Sequence, residues 1–243
     1  MIFKATVAYD GSNYAGWQKQ ENALGIQEVI EMVLSKIHKQ EMTIVASGRT
    51  DAHVHALGQV FHFEADGKIE AKRYHYAMNA LLPEDIRILD VCVEADDFHA
   101  RFSVKSKRYE YVCTYDKNNP FVYKYKEVLN QKLDIEAMRE AGKILKGSHD
   151  FTSFCSSKID PRKPRVKTIK TLDIFEEGQD LRFVYEGNGF LRYQVRMMTE
   201  TLIMVGRHKI TKDDVKVMLD KKSKDACRYN ASPNGLYLVR VDY

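Results

Sequence analysis

Asp51 lies two residues after Arg49 in the small-residue stretch ASGRTDAH, residues 46–53. In extended backbone, side chains two apart project the same way, so a guanidinium there can keep the carboxylate ionised. An ionised carboxylate suits a nucleophile, whereas a general acid needs its pKa raised. An ordinary surface ion pair that closes a turn has the same spacing, so spacing alone leaves both readings open.

His53, His55 and His62 follow directly. An H-x-H pair on a strand can face one way, but no Asp, Glu or Cys stands around these residues at a familiar zinc-ligand spacing. The expectation is therefore no metal, with the histidines packed or hydrogen-bonded near a polar site. A metal-dependent hydrolase built on the three of them is the distant alternative. GxxxxGK[ST], GxGxxG and GxSxG are all absent, which removes the usual signatures of nucleoside triphosphate, dinucleotide and serine hydrolase chemistry.

Aromatic residues among cations are the other chemical resource. Lys105, Lys107 and Arg108 directly precede Tyr109, and Lys158, Arg162, Lys163, Arg165, Lys167 and Lys170 crowd the segment SKIDPRKPRVKTIK. Such a tyrosine can stack a nucleobase while the cations hold phosphates. Packing across a strand pair explains a tyrosine there equally well.

The elements that must position these residues are legible from periodicity. Residues 2–9 alternate as a half-buried strand with Phe3, Ala5, Val7 and Tyr9 on one face. Ile26, Val29, Ile30, Val33, Leu34 and Ile37 recur at helical spacing and predict an amphipathic helix over 26–39. A short strand MTIVA, the SGRTD turn and a strand through GQVFHFEA come next, then a helix over 70–81 ending before Pro83 and a short strand at VCVEAD. The second half repeats the plan: a strand at KRYEYVCTYD, then a helix over DIEAMREAGKILKG ending at Gly147. A hairpin of VKTIKTLDIFEE and DLRFVYEGNGFL turns at Gly178. A largely buried helix follows, with Val195, Met198, Thr199, Leu202 and Ile203 facing in. Thr211 with Asp214 signals the N-cap of a last helix, and LYLVRVDY a last strand. The predicted fold is α+β, two similar subdomains of antiparallel sheet flanked by helices, covering 1–104 and 105–243 with an active cleft between them.

Composition sets outer limits. With 44% hydrophobic and 30% charged residues and a net charge of +4, the chain reads as a compact, mildly basic globular protein. Cys92, Cys113, Cys155 and Cys227 stand far apart with no CxxC pair, so free thiols are expected. No basic leader precedes an apolar run and no stretch is long enough for a membrane span, so a cytoplasmic protein without membrane attachment is expected.

GRTDAHVHALGQV resembles the GRTDAGVHAxGQV signature of the TruA-type tRNA pseudouridine synthases. AYDGSNYAGWQ, FHARFSVKSKRYEYV, HDFTSFCSS, GNGFLRYQVRMM and NGLYLVRV resemble that family's other blocks in the same order, across essentially the whole chain. The resemblance implies a cofactor-free isomerisation of uridine to pseudouridine in tRNA, at positions 38, 39 and 40 of the anticodon stem-loop, by a homodimer. Asp51 aligns with the catalytic aspartate. By the same alignment Arg49 orients Asp51 or displaces the target base, Tyr109 stacks on the flipped uracil, Arg196 pairs with Asp51, and Leu236 adds an apolar wall. Lys105, Lys107, Arg108, Lys158, Arg162, Lys163 and Arg165 become RNA backbone contacts. His53 stands where the signature carries Gly, which must alter the local backbone or the RNA-facing surface. The alternatives are the same chemistry on another RNA such as ribosomal RNA, and a non-catalytic RNA-binding protein.

Overall fold

The computed structural model describes residues 1–159, 162 and 164–243, which divide into two compact units. The first comprises Met1–Lys105 and Tyr237–Tyr243, the second Ser106–Leu236.

In the first unit, β1 (Ile2–Tyr9) is flanked by β3 (His55–Glu64) and β4 (Ile86–Glu94), both antiparallel to it. β2 (Val45–Ala46) adds a short antiparallel pair to β3. The residues expected on one face of β1, Phe3, Ala5, Val7 and Tyr9, are all buried. α1 (Ile26–His38) buries Ile26, Ile30, Val33 and Leu34, one stripe of an amphipathic helix. α2 (Ala71–Leu81) packs beside β4 and inserts Tyr74 edge-on against Phe3 at 4.9 Å and Phe63 at 5.0 Å. Trp17, from the segment after β1, lies between Tyr9 and Phe61 at 6.0 and 6.2 Å. The core therefore reaches directly under the loop that carries Asp51.

The second unit is built on β5 (Ser106–Thr114), which pairs in parallel with β6 (Glu127–Val128). α3 (Ile135–Leu145) leads into β7 (Gly147–Asp150), β8 (Val166–Glu177) and β9 (Asp180–Gly187). β9 lies antiparallel between β5 and β8, and β7 extends the sheet beyond β8. The β8–β9 turn has Gly178 at φ 66°, which glycine adopts without steric cost. α4 (Gln194–Gly206) buries all five residues expected to face in. Its close approach to α3 depends on Gly206, where a Cβ would meet the Met138 sulfur at 2.6 Å. α5 (Lys212–Lys221) starts at Thr211 with the capping box formed in both directions.

β10 (Leu236–Asp242) departs from the sequence expectation. Periodicity places it in the second half, but Tyr237–Tyr243 belongs with the first unit, where Tyr237 and Leu238 pair in parallel with His55 and Ala56 of β3. Alternation specifies a strand and not its neighbour, so this pairing, like the parallel β5–β6 pair, carries no local signal. Cys113, Cys155 and Cys227 are buried and Cys92 half-buried, all as free thiols.

Candidate functional site

The loop from Ser47 to Val54 returns the chain from β2 into β3. Its first part hangs on one buried amide. Gln59 Oε1 accepts from the Ser47 hydroxyl at 2.6 Å and from the Val60 N–H at 3.1 Å, and Gln59 Nε2 donates to the Gly48 carbonyl at 3.0 Å. A buried amide costs free energy unless it is bonded, so Gln59 fixes the loop while the loop satisfies Gln59. The Ser47 N–H donates to the Val60 carbonyl at 2.7 Å.

Thr50 points inward and shares a 2.7 Å hydrogen bond with the Tyr9 hydroxyl. Burial holds the Tyr9 phenol well above its usual pKa, so the pair stays neutral. The Thr50 carbonyl accepts from the Trp17 N–H at 3.1 Å. A Cβ on Gly16 (φ 95°) would lie 2.6 Å from the Thr50 carbonyl oxygen and 2.9 Å from the Asp51 carbonyl carbon. One on Gly11 would lie 2.1 Å from the Val54 carbonyl oxygen. The DGSNYAGW segment and the GRTDAH loop thus pack backbone against backbone, and both glycines are required by that approach.

Asp51 is half-buried between Thr50 and a turn closed by the Val54 N–H donating to the Asp51 carbonyl at 3.2 Å. Inside that turn His53 takes the left-handed conformation at φ 64°. Its N–H donates to the Tyr14 carbonyl at 3.2 Å. Its Nδ1 lies 2.8 Å from the Ser12 carbonyl, which assigns the proton to Nδ1. His53 therefore keeps a backbone that glycine adopts freely, and its exposed imidazole alters the surface instead.

Arg49 is exposed, and no ion pair among the described residues includes it. The R-x-D pair expected from spacing is thus not what shapes this loop; backbone hydrogen bonds and Gln59 do so. The other histidines have structural partners. His55 Nδ1 accepts from the Gly11 N–H at 3.1 Å and its ring stacks on Tyr237 at 4.8 Å. His62 Nδ1 accepts from the Ala100 N–H at 3.1 Å, and burial, with neighbouring His99, lowers its pKa.

In the second unit, Tyr109 on β5 is only 8% exposed and stands opposite Tyr185 of β9. Phe190 meets it edge-on at 5.1 Å. Arg196 sits in the first turn of α4, where its Nε donates to the Ala231 carbonyl at 2.7 Å and the Ala231 N–H donates back to the Arg196 carbonyl at 3.1 Å. The Arg196 guanidinium lies 5.1 Å from the Tyr193 ring centroid, and Arg192 lies 4.9 Å from the same ring. Tyr193 is left-handed at φ 68°. Leu236 is buried directly after Gly235, whose Cβ would meet the Val112 carbonyl oxygen at 2.7 Å.

The cations divide. Lys105, Lys158 and Arg162 are exposed, while Lys107 is 9% exposed. Arg108 is bonded to Glu110 at 2.8 Å, and Arg165 donates to the Ile159 carbonyl at 3.2 Å. Lys163 lies outside the described residues. Phe190, Tyr193 and Gln59 were not singled out from sequence; all three stand within the blocks that carry the resemblance, which is the signal that reaches them.

A family profile described as tRNA pseudouridine synthase matches residues 5–103 and 141–243. The chain is 44% identical over 240 residues to tRNA pseudouridine synthase A of an Exiguobacterium species, covering 99% of this chain and 97% of that protein. It is 42% identical over 247 residues to tRNA pseudouridine synthase A of Bacillus subtilis, covering 100% and 99%. With the protein of that name from Streptococcus pneumoniae the identity is 39% over 244 residues, covering 99% and 98%. The chain belongs to the tRNA pseudouridine synthase family, and so is an isomerase that converts uridine to pseudouridine in tRNA.

Proposed function

We propose that the chain acts at positions 38, 39 and 40 of the tRNA anticodon stem-loop, as a cytoplasmic homodimer, with Asp51 as the reacting carboxylate. The observation that carries the reading is the loop around Asp51. Thr50 and His53 are tied on either side of it, so the backbone that presents the carboxylate is set in place before substrate arrives, and preorganisation of this kind lowers the barrier.

The reaction exchanges the C1′–N1 glycosidic bond for a C1′–C5 bond and a proton on C5 for one on N1, so no oxidant or co-substrate enters the balance. Asp51 acts at the electron-poor sugar, as the carboxylate of a retaining glycosidase does. Tyr109 stacks on the extruded uracil, and Arg196 and Leu236 take the electrostatic and apolar roles that the resemblance gives them. Arg49, exposed beside Asp51, contacts the RNA at the target nucleotide. Extrusion of a base costs a few kcal/mol, which stacking and phosphate contacts must offset. Lys105, Lys158 and Arg162 are the exposed candidates for the latter.

Pseudouridine mapping of unmodified tRNA and ribosomal RNA, after incubation with the protein or its Asp51→Asn form, tests this. Marks at 38–40 that vanish with Asp51→Asn are expected. Marks only at other uridines would move the substrate, and wild-type turnover by Asp51→Asn would overturn the assignment of the carboxylate.

A further inference from the structure

Lys167, on β8, has no part in the site described above. It is half-buried, and among the described residues no carboxylate pairs with its ammonium and no oxygen accepts from it. Burial lowers its pKa, with no neighbouring acid to raise it. A charge drawn out of water without a partner costs free energy. Lys170, exposed on the same strand, stays solvated and has no such cost. Lys167 is therefore a cation that the fold holds at its own expense until an anion arrives.

The ammonium lies over the turn that follows β9. A Cβ on Gly189 would meet it at 3.8 Å and, apart from its chain neighbours, nothing else within 4 Å, so the space beside it is open. Asn188 clamps this turn to β8: its Oδ1 accepts from the Thr168 N–H at 3.0 Å, and its N–H donates to the Thr168 carbonyl at 3.2 Å. Phe190, the next residue after Gly189, is the ring that meets Tyr109 edge-on. Ile169, Gly187 and Lys107 form one row across β8, β9 and β5. Lys167 stands two residues before Ile169 and Tyr109 two residues after Lys107, so alternation places both on one face of the sheet. Strand rise and spacing set their Cα atoms about 16 Å apart.

We infer that Lys167 is a tRNA-binding residue whose ammonium, over Gly189, holds a backbone phosphate of the substrate. The family acts on tRNA, and phosphate is the anion that every stretch of that substrate presents. It supplies both the charge and the acceptors that the ammonium lacks, so binding offsets the cost of desolvating it. The separation from Tyr109 assigns the phosphate to a nucleotide flanking the target uridine, and this placement rests on the proposed stacking of the uracil on Tyr109. A contact of this kind fixes the register of the RNA without reading its sequence. A carboxylate of a second copy of the chain is the competing partner, and the test separates the two.

The test compares the full chain with Lys167→Met, which removes the charge and keeps an apolar stem, and with Lys167→Arg, which restores the charge. Without RNA, Lys167→Met should melt no lower than the unsubstituted chain, because a desolvated charge is gone. With unmodified full-length tRNA, Lys167→Met should reduce the slope of log affinity against log salt by about 0.7–0.9, and Lys167→Arg should restore it. An uncharged methylphosphonate linkage is then placed in turn at each phosphate outward from the uridine that the protein modifies. At one position it should weaken binding by the unsubstituted chain and have no further effect on Lys167→Met. That position lying beside the modified uridine supports the stacking on Tyr109 as well; lying elsewhere, it supports the Lys167 contact and defeats the stacking. An unchanged slope, or a scan in which Lys167→Met abolishes no effect, would overturn the inference. So would sedimentation in which Lys167→Met turns a dimer into monomers, because a second copy would then supply the anion.

Discussion

His53 and Tyr193 both occupy left-handed backbone, two residues after Asp51 and three before Arg196, and they are held there by different means. His53 is bonded twice to the 12–14 turn, through its N–H and through Nδ1, and the loop around it is closed by glycines at van der Waals limits. Tyr193 has no side-chain capping bond. Its ring lies under two guanidiniums, and its carbonyl accepts from the Met197 N–H at 2.9 Å within α4. Left-handed backbone costs a non-glycine residue about 1–2 kcal/mol, so both positions persist because their surroundings over-determine them. The contrast is one of means. The Asp51 loop is held by backbone hydrogen bonds, whereas Arg196 stacks its guanidinium on the Tyr193 ring and donates to the Ala231 carbonyl.

The sharpest way to break this contrast is at its chemical end. Asp51→Asn should lower single-turnover pseudouridine formation by about 10⁴-fold, the scale of losing a nucleophile, while Arg196→Lys, with the Nε contact to Ala231 removed, should lose less. Next is the backbone. Gly16→Ala places a methyl group against the Thr50 carbonyl, and displacement of the loop by an ångström should cost about 10²-fold in the same assay. On the Arg196 side, Gly189→Ala, with only the Lys167 ammonium near at 3.8 Å, should be milder despite its φ of 151°.

Gln59→Leu should destabilise the fold by about 2–4 kcal/mol in denaturant melts, because it leaves buried partners unpaired. A value near zero would show that the loop does not depend on that amide. The paired test of the two left-handed residues is smaller. His53→Gly relieves backbone strain and loses one hydrogen bond of about 1 kcal/mol, so its melting temperature should barely move. Tyr193→Gly relieves the same strain but takes the ring away from the Arg196 guanidinium, so activity should fall while stability holds; equal activity losses would erase the contrast. Smallest is a pH effect. The folded state lowers the His62 pKa, so the unfolded chain binds a proton more readily, and stability should decline as pH falls through about 6.5. His62→Asn should flatten that decline in melts recorded across the range.

Much of the scaffold was legible because burial imposes a period. The inward face of β1, the stripe of α1 and the buried residues of α4 stand where alternation and helical spacing put them. The same logic failed where pairing is non-local. β2 spans only Val45–Ala46 of the expected MTIVA strand, since the chain leaves β3 after two pairs to enter the Asp51 loop. β6 and β7 are two and four residues long and leave no period to read. The short strand expected at VCVEAD starts earlier and stops sooner: β4 runs Ile86–Glu94 and takes in residues for which periodicity predicts no element. At the site, residue identity was readable and its support was not. Nothing local in FHARFSVKSKRYEY separates the buried Lys107 from the exposed Lys105. Nor does the run GQVFHF say that Gln59 is the strut of the preceding loop.

The pairing of β10 with β3 has a consequence for synthesis. Tyr237 stacks on His55, and His55 accepts from the Gly11 N–H beneath the Asp51 loop. Residues far along the chain therefore brace a segment that is synthesised well before them. Until they dock, β3 presents an open strand edge, the kind of surface that pairs indiscriminately. A nascent chain halted before Tyr237 holds the Asp51 loop on an unfinished sheet, so the support of that loop arrives with Tyr237 and Leu238 and not with the codon for Asp51.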